Sequence, residues 1–241
     1  MVQVKADVAA EDAPPPPYLG NGNGEGSSTS QPPPPPPLVR APPPIITASN
    51  LLDISRTHNR VKGAYLIDPA LPVPESLLAP RPEDAEGPRP NLRLASTHAS
   101  VDADVWVVDS PPDHKGPTLL VFDSQYGSVD VRLHTLGNRP CNVEIRAAYG
   151  RVNIQIPRDF VGVVSASTTY GSIVVPPQLT TMSEAEGEGK YFMGDLRLVG
   201  PDGWQGTTIT VKAPQGRIKF TCGEQTEPAK LKKSKWASWF S

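Results

Sequence analysis

Aromatic side chains are scarce in this chain, at 6% of residues. That rules out a core built on large rings and leaves Val, Ile, Leu and Ala to form one. Cysteine is scarcer still, with Cys141 and Cys222 alone, too few for a disulfide framework. One bridge between them stays open. The simpler reading makes Cys222 a small core hydrophobe and Cys141 a loop thiol. No window approaches the roughly 18 apolar residues of a membrane-spanning helix. Residues 1–12 contain no apolar stretch of the kind a secretory signal needs. The expectation is a soluble, intracellular, cytoplasmic protein.

No charge of one sign dominates. The formal net charge is −2 in 241 residues. Residues 1–44 carry Lys5 and Arg40 against Asp7, Glu11, Asp12 and Glu25, residues 45–229 sum to −4, and the last twelve residues carry four lysines and no acid. A slightly acidic body lacks the basic face of a general nucleic-acid binder, so no nucleic-acid partner is expected.

The signatures of catalysis are missing too. His58, His98, His114 and His134 fall in no H-x-x-x-H or H-E-x-x-H spacing, and the cysteines make no C-x-x-C. There is no G-x-S-x-G and no phosphate loop of the G-x-x-x-x-G-K-[ST] type. A non-enzyme with no cofactor and no metal is expected. His58 and His98 occupy equivalent turn positions, where a stacked pair could bind metal. Two ligands without a third point instead to solvated turn histidines. Asp102, Asp104 and Asp130 alternate outward on their strands. Such carboxylates do acid–base work where burial raises one pKa. Alternation with Val101, Ala103 and Val105 makes a solvated outer face the default.

What the chain does have is a repeat. Tyr126-Gly127, Tyr149-Gly150, Tyr170-Gly171 and, in degenerate form, Gln215-Gly216 each sit inside one alternating pattern. Apolar residues follow at every second position, as in Val129, Val131, Leu133 and Val152, Ile154, Ile156. The same phase precedes, as in Leu120, Phe122, Ser124 and Val143, Ile145, Ala147. Each unit reads as two short strands joined at a tight turn, with one side of each strand on a core. The turn explains the glycines by the backbone conformation it needs. Two earlier units place Asn59 and Ala99 at the glycine position; Asn tolerates a left-handed turn and Ala does so poorly.

Units of about 22 residues suit a β-solenoid, with equivalent strands stacked coil on coil, or a meander closing into a β-sandwich. Stacking would align Tyr126, Tyr149 and Tyr170 in a structural column. No segment keeps a helical period over three turns, so the fold should be all-β. Met182–Lys190 reads as a loop, and Tyr191–Val199 as an extra strand with Leu196 and Leu198 in phase.

Three stretches lie outside the repeat. Residues 1–44 hold 13 of the 30 prolines and a Gly/Ser-rich run, and read as a disordered arm before a domain at 45–229. Residues 69–90 hold seven prolines and read as a surface loop. Within the arm, Pro15-Pro16-Pro17-Tyr18 matches the P-P-x-Y ligand of WW domains, whose aromatic groove grips a preformed PPII helix. Pro15, Pro16 and Tyr18 are the contact residues, and Pro32–Pro37 offers a weaker P-x-x-P for SH3-type partners. The tail at 230–241 combines Lys232, Lys233 and Lys235 with Trp236, Trp239 and Phe240. Charge with interfacial aromatics suits an anionic membrane surface; the alternative is a frayed tail or one folded back on the domain.

The Tyr-Gly-Ser-Val-Asp-Val and Tyr-Gly-Arg-Val-Asn-Ile units, the Gly-Trp-Gln-Gly segment at 203–206 before Thr-Thr-Ile-Thr-Val, and the Pro-rich N-terminus carry a resemblance. Over about residues 48–224 the chain resembles an uncharacterised fungal family, domain of unknown function 7330. More remotely it is similar to bacterial adhesin-like domains of stacked short strands. The resemblance implies a solenoid-like β fold and brings no activity and no site residues. The function expected is a non-enzymatic interaction or scaffold protein. A carbohydrate-directed binder or enzyme, with a groove of exposed aromatics and two carboxylates, is the alternative. A peripheral membrane adaptor acting through the tail is a third reading. Oligomeric state is not legible.

Overall fold

Alternation sorts the chain into strands that turn one side inward. β6, Thr118–Ser124, and β7, Val129–Thr135, bury every second side chain along the run. In β8, Cys141–Ala147, and β9, Val152–Ile156, the same rhythm recurs. The computed structural model describes residues 46–80, 87–109, 116–137, 139–200 and 203–223. The remaining strands are β1 (Ala48–Ser49), β2 (Leu52–Arg56), β3 (Val61–Ile67), β4 (Leu92–Ser96), β5 (Val101–Val107), β10 (Gly162–Ser167), β11 (Ile173–Val174), β12 (Thr180–Ala185), β13 (Glu188–Met193), β14 (Thr207–Lys212) and β15 (Ile218–Cys222). The described residues contain two 3₁₀ turns, Glu75–Leu77 and Leu196–Leu198, and no α-helix. The fold is all-β.

The two strands of a unit do not pair with each other. Each turn hands the chain from one sheet to the other, so the second strand acts as the crossover that parallel pairing requires. The first strands build one sheet, β2-β4-β6-β8-β14-β10, which the hairpin β13-β12 extends, and the second strands build the other, β3-β5-β7-β9-β15-β11, with β1 beside β3. Unit pairs are parallel and stack like on like. Val61, Val101, Val129, Val152 and Ile218 share one register, and Leu94, Phe122, Ile145 and Val211 another. Both sheets face one apolar core, as in a sandwich, and each grows unit on unit, as in a solenoid. Val131, Ile145, Ile154 and Val211, all at inward phase, are no more than 1% exposed.

Stacking order departs from chain order. The last unit, β14 and β15, lies between the fourth unit, β8 and β9, and the fifth, β10 and β11. β14 pairs with β8 on one side and with β10 on the other. The step of 45 residues between Gly171 and Gly216 is therefore an excursion that returns to fill a gap.

The excursion corrects two expectations. Met182–Lys190 is not a loop: it forms most of the antiparallel hairpin β12–β13, turning at Gly187, whose φ is +75°. The extra strand ends at Met193, and Leu196–Leu198 is a 3₁₀ turn. Buried Tyr191 and Phe192 hold the hairpin although β12 is exposed throughout. Tertiary packing overrides the polar composition. Cys141 is likewise no loop thiol. It opens β8 fully buried, and burial pushes its pKa up to about 12. Cys222 is half-buried against the core, and both thiols are free.

Candidate binding face at the turns

Three of the turns are clipped by a hydroxyl three residues before the glycine position, from Ser96, Ser124 and Thr168. Ser124 Oγ accepts from Gly127 N–H at 3.0 Å and donates to the Ala99 carbonyl of the preceding unit at 3.1 Å. Thr168 Oγ1 accepts from Gly171 N–H at 2.9 Å and donates to the Gly216 carbonyl at 3.1 Å. One side chain thus closes its own turn and ties it to the neighbour.

The turn glycines have another reason than the one expected. None of Gly127, Gly150, Gly171 and Gly216 is among the positive-φ residues. A Cβ on each would instead overlap the backbone of the next turn in the stack. Gly150 faces the Gly127 carbonyl, Gly216 faces that of Gly150, and Gly171 that of Gly216. Close approach between turns demands glycine here, not backbone handedness.

Beside this column runs a column of rings. His58 stacks on His98 with centroids 5.0 Å apart, His98 on Tyr126 at 5.2 Å, and Tyr126 on Tyr149 at 5.1 Å, every pair within 8° of parallel. The spacing follows the strand separation of parallel sheets, about 4.8 Å. Tyr126 and Tyr149 are about half exposed, and both histidines are exposed. The expected tyrosine column is therefore half right. Tyr170 does not join it, because Gln215 of the inserted unit occupies the next turn, and Tyr170 is left 83% exposed. The two histidines, legible only as equivalent turn positions, extend the column at its other end.

The outer face of the second-strand sheet is not the plain solvated surface expected of Asp102 and Asp104. Asp102 is buried, held by Arg60 at 2.7 Å and Arg132 at 3.0 Å. Arg132 also forks onto Asp104 at 2.7 and 2.8 Å, and His134 Nε2 lies 2.9 Å from the same carboxylate. Burial raises the Asp104 pKa, but hydrogen bonds from Arg132 and His134 and their charges outweigh it, holding the carboxyl well below its ordinary range. The hydrogen bond to Asp104 in turn raises Arg132. A carboxylate so held is a poor proton donor near neutrality. A bulge between β5 and β7 shifts the register at Trp106, whose ring stacks on His134 at 4.1 Å. The buried Trp106 indole nitrogen has no partner.

At the far ends of the strands, Leu136, Gly137, Arg139 and Pro140 with residues of 157–161 and 204–207 surround a pocket of about 380 Å³, whose lining includes Phe160, Trp204 and Asp159. Trp204 spends its indole N–H on the Thr207 carbonyl at 2.8 Å and meets Phe192 edge-on. Among the described lining residues Asp159 is the one carboxylate. Among all described residues no three His, Cys, Asp or Glu gather as a metal site, and no helix is long and apolar enough to cross a membrane.

Pro15, Pro16 and Tyr18 of the WW motif lie outside the described residues, as do Lys232, Lys233, Lys235, Trp236, Trp239 and Phe240 of the tail. The feature that assembles within them is the turn face: a rigid backbone ladder presenting stacked rings edge-on. The inner rings, His98 and Tyr126, are covered on both faces by their neighbours in the column. No curated protein and no solved structure matches the chain. A family model does match, over residues 50–224, the span that holds every two-strand unit, and the chain belongs to the family described as a domain of unknown function (DUF7330).

Proposed function

We propose that the protein is a non-enzymatic interaction module, in which the stacked sheets hold the turn face rigid for a partner and the Pro-rich arm recruits WW-domain proteins. The observation that carries this reading is the exposed His58–His98–Tyr126–Tyr149 column. Partly exposed tyrosines on a rigid frame lose little entropy when a partner covers them, and such residues are enriched at protein interfaces. A carbohydrate platform is less well supported, because it needs free ring faces and these are stacked on each other. The arm reading rests on the spacing of Pro15, Pro16 and Tyr18.

The test captures partners from cell extract with the full chain, with Tyr18→Ala and with the double variant Tyr126→Ala/Tyr149→Ala. Tyr18→Ala should lose WW-domain proteins, and its affinity for an isolated WW domain should fall at least about tenfold. The double variant should lose a different set while circular dichroism stays unchanged. Identical partner sets for all three chains would sink the reading.

A further inference from the structure

The residue after the glycine position forms a third column along the turns. In stacking order it reads Arg60, Ser100, Ser128, Arg151, Arg217 and Ser172. Insertion of the last unit beside the fourth makes Arg151 and Arg217 neighbours, and Val152 N–H donates to the Arg217 carbonyl at 2.9 Å. It also sets Lys212 opposite Arg146 and Lys219 opposite Asn153. Arg151, Lys212, Arg217 and Lys219 are exposed, and among the described residues none of the four has an acidic partner. Arg146 is bound to Glu144 at 2.9 Å. Arg151 and Arg217 sit on two adjacent turns, with Lys212 and Lys219 flanking them at the strand ends of the last unit; like charges so placed repel one another, and an anion laid across them relieves that. Tyr149 stands on the same turn as Arg151, with Tyr126 and Tyr170 exposed along the rim.

We propose that this edge, the turns of the fourth and last units, docks on an anionic phospholipid surface. Guanidinium groups match phosphate oxygens in a two-pronged geometry. Tyrosine favours the membrane–water interface, where its ring meets the headgroup level and its hydroxyl stays wet. Single-stranded nucleic acid fits worse, since it needs free aromatic faces for its bases, and Tyr126 and Tyr149 stack on each other. The contact is a strip, because Glu186 and Glu188 of the β12–β13 hairpin bound it beyond the fifth unit. The C-terminal lysines are not needed for this edge, and the test separates the two.

Co-sedimentation of the full chain with phosphatidylcholine vesicles, with and without phosphatidylserine, reads the partition directly. Binding should require phosphatidylserine and weaken with salt. Arg151→Gln/Arg217→Gln should lower the partition coefficient about 25-fold, at roughly fivefold per basic residue, with an unchanged unfolding midpoint. The control Arg93→Gln/Arg197→Gln removes the same charge elsewhere and should bind far better than the turn variant. A chain ending at Ala229 should keep the sensitivity to the turn variant. The proposal is overturned by equal loss in both double variants, by full binding of the turn variant, by equal pelleting on neutral vesicles, or by no pelleting.

Discussion

Asp104 shows how much a single side chain's setting changes its chemistry. Outward phase on β5 reads as solvated carboxylate, yet Arg132 and His134 converge on it from β7. Its folded pKa lies below the ordinary 3.8 of an aspartate. Folding therefore favours the ionised form. That contribution is whole above about pH 4 and drains as pH falls toward the folded value. Asp104→Asn should cost about 1–3 kcal/mol at neutral pH, the worth of charge-assisted hydrogen bonds. Its urea midpoint should also fall less than wild type's between pH 5 and about pH 2. Parallel acid limbs for both proteins would show that the pair contributes nothing.

At the scale of the element, strands were readable and turns only partly so. Alternation placed β6 to β9, β14 and β15 in phase because one face of each strand meets the core and the other meets water. The glycine position was also plain, but its cause was not. A local reading sees a turn, whereas the constraint comes from a carbonyl more than twenty residues away. Gly150→Ala should therefore be costly although its φ lies outside the left-handed region. The new methyl meets the fixed Gly127 carbonyl, and overpacking typically costs about 1–3 kcal/mol. Gly200→Ala, with open space around it, should be close to neutral. Equal unfolding midpoints for the two variants would place the turns further apart than described. The hairpin β12–β13 was missed because Ser, Glu and Gly dominate residues 182–190, and the signal available was the pair Tyr191-Phe192 that follows.

For the whole molecule the decisive feature is the insertion of the last unit. Removing 207–241 does not shorten the stack at an end; it takes out an interior layer. Ile209, Val211, Ile218 and Phe220 are all buried in that layer. At about 1.5–3 kcal/mol for each large side chain buried, they match the 5–15 kcal/mol net stability of a typical domain. A chain ending at Gly206 should lose cooperative urea unfolding, and adding residues 207–223 as a separate peptide should restore part of it. A truncated chain that unfolds with the native midpoint would mean that the fifth unit packs directly on the fourth and that the last is dispensable.

Composition and periodicity alone determined that the chain is all-β, that its core is aliphatic, and which positions face inward, because strand alternation is a local consequence of burying one face. They also determined which residues share a turn position. Tertiary structure alone decided the order in which turns stack, and with it every juxtaposition that chemistry depends on. Tyr149 meets Tyr126 but not Tyr170, Arg151 meets Arg217, and Asp104 meets Arg132 and His134. Two units of equal phase are interchangeable to a local reading. Which one fills a gap depends on the edges left open by the rest of the fold, and that information is held by the assembled backbone, not by any segment of it.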